Sequence, residues 1–438
     1  MNELKQYLDG MARRKQRTAQ LVGCLVGNHQ RQYMWHRLRY YALKLLLTAS
    51  LHAVEYILIF MVFSYQIAAS ILVFRLIGFI LSGAWWGLLE SMREKVRVLA
   101  LDRNKTAIVH VVVGWLIGSL VIGGLFLLAC ATWLGSAMLH LVAGQWLLFD
   151  VYLLAIVLQT LVRLFVLTLH SGIFAIQRVY RPLFSILLSP IAGLAILLLL
   201  WPWWHGFSLP MAALSEALLG MFFTSYYSLR MLKKNRIHLT LSSPWQRWKD
   251  GFSTLKNSRP FLATLAGVAV NVEGLLALML VSAALPDGVS TFDIVYLLAP
   301  VIMACSTWPK VFYFDYKKNS DAMLRLVIRR LQFAIECMTP VLVLLLSMLA
   351  SVCLYYILHL THVNFYLLLA LFLLTRSLLC QRQIQLYSYR CFMPIIIHSA
   401  ILLLLVGFFS RRLSSLSEGL LLLSVLQLLR YVLLIFMR

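Results

Sequence analysis

Long apolar stretches broken by short polar ones run through this chain from about position 42 to its end. Runs of about 20 apolar residues cross the hydrocarbon core of a bilayer. They predict twelve spans. In the first half these are 42–65, 68–90, 107–131, 148–170, 183–203 and 211–230. In the second they are 260–284, 291–313, 331–357, 364–380, 391–410 and 416–436. HAVEYILIFMVFS (52–64) aligns without a gap on VNVEGLLALMLVS (270–282). Val54, Glu55, Leu58, Met61 and Ser64 fall on Val272, Glu273, Leu276, Met279 and Ser282, and Phe74 falls on Phe292. The paired glutamates carry the weight, because the chain has only 16 acidic residues. Six spans per half is even, so the halves run parallel, related by an axis along the membrane normal with a central cavity between them.

Composition narrows the class. The chain is 61% hydrophobic and 13% charged, where soluble domains carry about a quarter charged residues. The expected fold class is therefore an all-α polytopic membrane protein with two six-helix lobes. The net charge of +23 alone would admit nucleic acid, but its placement argues for anionic membrane lipids. Lys and Arg concentrate in 1–40, 91–106, 171–182, 230–259, 309–331 and 376–391. The alternate loops 132–147, 203–210, 285–290 and 357–364 hold none, and 410–418 holds only Arg411 and Arg412. That asymmetry predicts both termini in the cytoplasm and a place in the cell inner membrane. It divides the chain into a basic arm (1–40), an N-lobe (41–232), a linker (233–259) and a C-lobe (260–438). No cleavable signal peptide is visible, and the seven scattered cysteines predict neither disulfides nor a metal site. After the second span of each half comes a charged segment, SMREKVRVLALDRNKTA or PKVFYFDYKKNSDAMLRLVIRRL, read as a basic interfacial helix.

Twelve spans as six plus six, cytoplasmic termini, a basic linker and a charged internal helix after spans 2 and 8 together resemble one group. That group is the multidrug/oligosaccharidyl-lipid/polysaccharide (MOP) flippase superfamily, and the resemblance covers residues 40–438. It holds lipid-linked oligosaccharide flippases, the lipid II flippase and the multidrug and toxin extruders. The resemblance implies transport by rocking of two lobes.

Ionisable residues inside spans are costly and mark candidate sites. Glu55 and Glu273, each halfway through its helix, are candidates for coupling to H+ or Na+ and are expected to approach each other across the cavity; the alternative is a packing role. Asp293 joins them, standing where the repeat puts Arg75. The candidate substrate-binding cations are Arg75, Arg163 and Lys44, since a guanidinium grips phosphate bidentately and stays charged when buried. In the lipid II flippase, cavity arginines of the first two helices are thought to hold the diphosphate, and Arg75 is similar by helix and position. The alternatives are an ion pair of Arg75 with Glu55 or Asp293, and snorkelling by Lys44 and Arg430. His52, one turn before Glu55, either shares a proton relay with it or makes a plain hydrogen bond. Asp150 and Glu216 are read as hydrated groups near the outer interface.

No P-loop, GxSxG or HExxH occurs, so neither an enzyme nor a cofactor is expected. The leading expectation is a transporter that flips a lipid-linked oligosaccharide or similar anionic polyprenyl-phosphate glycolipid. The alternatives are a cation-coupled multidrug extruder of the same superfamily, a membrane-embedded glycan polymerase or ligase, and a non-catalytic subunit of an exopolysaccharide export complex docking polysaccharide-assembly proteins.

Overall fold

A computed structural model of the chain describes residues 38–101, 105–137, 146–176, 183–234, 258–285, 288–312, 324–360 and 362–436. Residues 1–37 of the basic arm and most of the linker lie outside the described residues. Twelve long helices account for nearly all the rest. The first six are α1 (Leu38–Val62), α2 (Tyr65–Leu101), α3 (Lys105–Ala137), α4 (Trp146–Ile176), α5 (Leu183–Trp204) and α6 (Ser208–Lys234). The second six are α7 (Ser258–Ala284), α8 (Gly288–Thr307), α9 (Leu324–Leu358), α10 (Val363–Ser388), α11 (Phe392–Phe409) and α12 (Leu416–Phe436). Ten stretches are long and apolar enough to cross a membrane, one of them, Leu187–Arg230, running through both α5 and α6. This is a multi-pass membrane protein.

Several helices outrun the sequence reading. The segment after span 2 is no separate interfacial helix in the first half, because α2 continues unbroken to Leu101. No proline or glycine stands between Gly87 and Leu101 to stop it, and Arg93 pairs with Glu90 one turn back at 3.0 Å. In the second half Pro309 lies in a 3-10 turn, Trp308–Phe312, that closes α8. There LRLVIRRL forms the opening turns of α9. Similarly α10 runs past position 380 to Ser388, with no breaker in between.

Within the first six helices α4 packs on α2, α3 and α6, and α5 on α6; within the second six α7 packs on α8 and α11, and α10 on α12 and α9. Across the halves α2 lies against α7 and α8. Small residues make that seam close. A Cβ on Gly267 would come within 2.4 Å of the Gly87 Cα, and one on Gly83 within 2.9 Å of the Asn271 Cβ. Large apolar side chains such as Trp203 and Leu404, 80% and 74% exposed, form the surface expected to face lipid.

Candidate functional site

The end of the bundle that carries the lysine- and arginine-rich connections, here the basic face, is where α2 finishes and α7 begins. There the halves are tied by polar contacts. Tyr387 at the end of α10 donates its hydroxyl to the carbonyl oxygens of Gly87 (3.3 Å) and Ala263 (3.1 Å). Its ring lies 5.1 Å from that of Trp86, over which Lys310 also stands at 4.6 Å. Lys310 donates to Asn271, and Asn271 donates to the Gly83 carbonyl at 3.4 Å. Arg390 pairs with Glu94 at 2.8 Å in the open. Tyr41 of α1 stacks on Trp308 at 6.4 Å.

Deeper in, Glu55 of α1 is buried and accepts from Arg75 of α2 and from the Tyr152 hydroxyl of α4 at 2.6 Å. Arg75 also donates to Tyr152 at 2.8 Å and to His52 Nδ1 at 3.0 Å. That nitrogen stands between the Arg75 guanidinium and Glu55 Oε2, 3.3 Å away. Of the partners the sequence offered Arg75, Glu55 wins over Asp293.

Glu273 of α7 is closed in more fully. It accepts from Arg430 of α12, from Gln383 Nε2 of α10 (2.8 Å) and from Ser399 Oγ of α11 (2.7 Å), with Arg376 Nη1 at 3.8 Å. Arg376, fully buried, spends its other donors on Ser306 Oγ (3.2 Å), the Gln383 Oε1 (3.4 Å) and the carbonyls of Ala269 (3.3 Å) and Val270 (2.8 Å). Arg430 therefore does not snorkel. Nor do the two glutamates hold one another, for the partners of each come from its own half.

Three predicted site residues are left. Asp293 on α8 is 5% exposed, and its Oδ2 has no hydrogen-bond partner among the described residues. Lys44 and Arg163 are half-buried in the first half. Glu216 lies within electrostatic reach of both and accepts from Gln159 at 2.6 Å. Glu216 is half-buried, and Asp150 is exposed.

No protein-family model matches the sequence, and no curated protein does. Solved structures do. The eukaryotic MATE transporter AtDTX14 is similar over 93% of this chain and 96% of its own, with a TM-score of 0.62 at 14% identity. A mutant of the MATE transporter VcmN from Vibrio cholerae is similar over 92% and 96%, with a TM-score of 0.58 at 12% identity. The fold is that of the MATE transporters. Its two lobes are the two six-helix halves, which agrees with the expected fold class. A MOP superfamily transporter from Pyrococcus furiosus, for which reverse polarity of the binding pocket suggests a different function, also shares it over 92% and 95%, with a TM-score of 0.59 at 12% identity.

Sequence reading missed Arg376, Gln383, Ser399 and Tyr152. Counting 376–391 as a basic connection turned Arg376 into a loop charge. The signal was available: between Val363 and Arg390 there is neither proline nor glycine, and Arg376, Cys380, Gln383 and Tyr387 share one helical face. Serine, glutamine and tyrosine gave no signal of their own.

Proposed function

We propose that this protein is a secondary transporter of the extruder type, working by alternating access of its two lobes. The observation that carries this is how charge is distributed between lobes. Among the described residues the buried ion pairs close within one lobe, while the pair that bridges the lobes, Glu94–Arg390, is about 40% exposed on each side. Breaking a buried pair costs about 3–5 kcal/mol, whereas an exposed one is worth about 0–1 kcal/mol. Each lobe can therefore move as a rigid body, parting at a seam of glycine backbone, the Tyr387 and Asn271 hydrogen bonds and an exposed ion pair. The MATE fold favours this extruder reading over the lipid-linked oligosaccharide flippase, and the commitment of Arg75 to Glu55 removes the residue on which the flippase reading leaned most. With the basic face cytoplasmic, the structure corresponds to a state shut toward the cytoplasm. Of the three carboxylates expected to couple transport to H+ or Na+, Glu55 and Glu273 are already neutralised by arginine, which leaves Asp293 as the coupling group.

The test uses the full-length protein with Cys391→Ser and cysteines at 94 and 390, reconstituted in proteoliposomes. Gradient-driven accumulation of fluorescent lipophilic compounds is expected in the reduced protein, with arrest on oxidation and recovery on reduction. Unchanged transport by the cross-linked protein sinks the alternating-access reading. Flipping of a lipid-linked sugar, with no accumulation of such compounds, sinks the extruder reading.

A further inference from the structure

At the end of the bundle opposite the basic face, lysine and arginine are absent from the connections 132–147, 203–210, 285–290 and 357–364, whereas the turn between α11 and α12 carries Arg411 and Arg412 side by side. Cations there act against the charge asymmetry that orients the chain. Their depth is set by the helix. From Phe392, at the basic face, to Arg412 there are 21 residues, which rise about 31 Å at 1.5 Å each and match a hydrocarbon core about 30 Å thick. Both arginines therefore stand at the far boundary of the membrane, in the 3-10 turn Ser410–Arg412. Both are exposed, and among the described residues neither makes a hydrogen bond or an ion pair. Glu418, the carboxylate of the same connection, accepts instead from the Ser414 amide (2.8 Å) and hydroxyl (2.9 Å). With Gly407 and Phe408 the two arginines line an open cavity of about 410 Å³. Gly407 leaves it room, since a Cβ there would meet nothing within 4 Å. Arg412 stands over Phe408, its Cζ 5.6 Å from the ring centre. On the same face of α11, Ile397, Ile401, Leu404 and Phe408 recur at helical spacing and are all exposed. Arg411 and Arg412 follow three and four positions after Phe408, so one stripe passes from hydrocarbon depth to paired guanidinium groups at the depth of lipid phosphates.

We propose that Arg411, Arg412 and the cavity they line form a binding site for the phosphate diester of an anionic phospholipid, in the leaflet opposite the basic face, with an acyl chain lying along the α11 stripe. A guanidinium offers parallel N–H donors to two phosphate oxygens, and two adjacent forks can share one diester. The fork held over Phe408 stands where head group and chain meet. Two cations facing one diester leave a positive charge over, so an anionic head group is preferred to a zwitterionic one, whose ammonium would meet that charge. The apolar stripe selects a lipid over free phosphate, which makes no use of it. The turn rests on α7, so the site belongs to the C-lobe alone.

The test reads lipid at this place, because the basic face attracts anionic lipid as well. In the full-length protein Cys24, Cys130, Cys337 and Cys391 are changed to serine, and a bimane label is attached through Leu405→Cys, an exposed position on the same side of α11 as Arg412. The protein is reconstituted in phosphatidylcholine bilayers with rising amounts of phosphatidylglycerol or phosphatidylcholine that carries a nitroxide on one chain, and quenching of the label gives their relative affinities. Phosphatidylglycerol is expected to be preferred at least about fivefold, as cations at a lipid surface imply. Arg411→Gln with Arg412→Gln should abolish the preference, and Arg411→Lys with Arg412→Lys should keep only part of it. A label attached instead through Tyr389→Cys, exposed on the basic face, should report the same lipid preference in every variant, as it does only where the fold is intact. Absence of a preference at 405 in the native protein overturns the site, as does a preference undiminished in the glutamine pair. A lysine pair equal to native would reduce the site to general surface charge, and loss of the preference on adding millimolar inorganic phosphate would make free phosphate its ligand; either result overturns the lipid site.

Discussion

Glu55 and Glu273 occupy equivalent places in the two lobes and are neutralised in different ways. Glu55 takes one arginine, from the next helix, with Tyr152 completing the group. Glu273 takes two, from the fourth and sixth helices of its lobe, with Gln383 and Ser399. The residue after each glutamate gives the physical reason. In the N-lobe it is Tyr56, whose ring lies 5.7 Å from the Arg75 guanidinium. In the C-lobe it is Gly274, and a Cβ there would meet Arg376 Nε at 2.8 Å. A ring on one side leaves the approach from α2; an absent side chain on the other admits an arginine from α10. The C-lobe glutamate consequently has the larger set of partners.

The largest effect should come from Glu273→Gln, which strands two buried guanidinium groups. Losing one partner of a buried pair costs about 3–5 kcal/mol. We expect Glu273→Gln at or above the top of that range and Glu55→Gln near the bottom, read as melting of the detergent-purified protein. Equal losses would break the contrast. The double variant Glu55→Gln, Arg75→Gln should recover most of the single loss, since it strands no charge, whereas Glu273→Gln with Arg430→Gln still leaves Arg376 unpaired and should recover less.

Next in size is Gly274→Ala. Of the Arg376 atoms it would strike, Nε is held by the Ser306 hydroxyl, and Nη2 beyond it by two backbone carbonyls, so the side chain has little freedom to withdraw. Overpacking of this kind costs about 1–3 kcal/mol, and thermal stability should fall by that much. A stability equal to the native protein would mean that Arg376 is not fixed as described.

Gly267→Ala acts on the seam. Its Cβ would stand 2.4 Å from backbone, the Gly87 Cα, so the shut basic face is destabilised while each lobe keeps its own packing. We expect modest loss of stability and a rise of roughly tenfold in labelling of a cysteine placed at Gly83, since about 1.4 kcal/mol shifts an equilibrium tenfold. Unchanged labelling would remove the seam from the mechanism.

Arg390→Gly should do least. Arg390 has φ 64, the left-handed conformation that glycine adopts without strain at a helix end, and relieving it gains about 1–2 kcal/mol. That gain offsets the loss of the exposed pair with Glu94, worth about 0–1 kcal/mol. Stability near or slightly above native is the expected result, and a loss of several kcal/mol would show the pair to be more than a surface latch.

Much of the candidate site was legible because an acid or a base in an apolar helix stands out against its neighbours. Glu55, Glu273, Arg75, Arg163, Lys44 and Arg430 were all visible in that way. Their partners were not. The sequence offered Arg75 both Glu55 and Asp293, and nothing local chooses between residues 20 and 218 positions away on different helices. Arg376 was misread because hydropathy falls at TRSLLCQRQIQLYSY as it does in a loop, although the helix continues there through buried polar residues.

What the sequence determined by itself is whatever depends on one helix at a time. Apolar length places the spans, the alternation of basic and neutral loops orders them, and the repeat at 52–64 and 270–282 makes two halves of them. The tertiary structure alone decided which arginine meets which glutamate and that each pair closes inside its lobe. The reason is physical. A buried charge is satisfied by whatever donor the packing of several helices brings within reach, and that depends on how closely they approach, which at Gly274 and Gly267 is set by the absence of a single carbon atom.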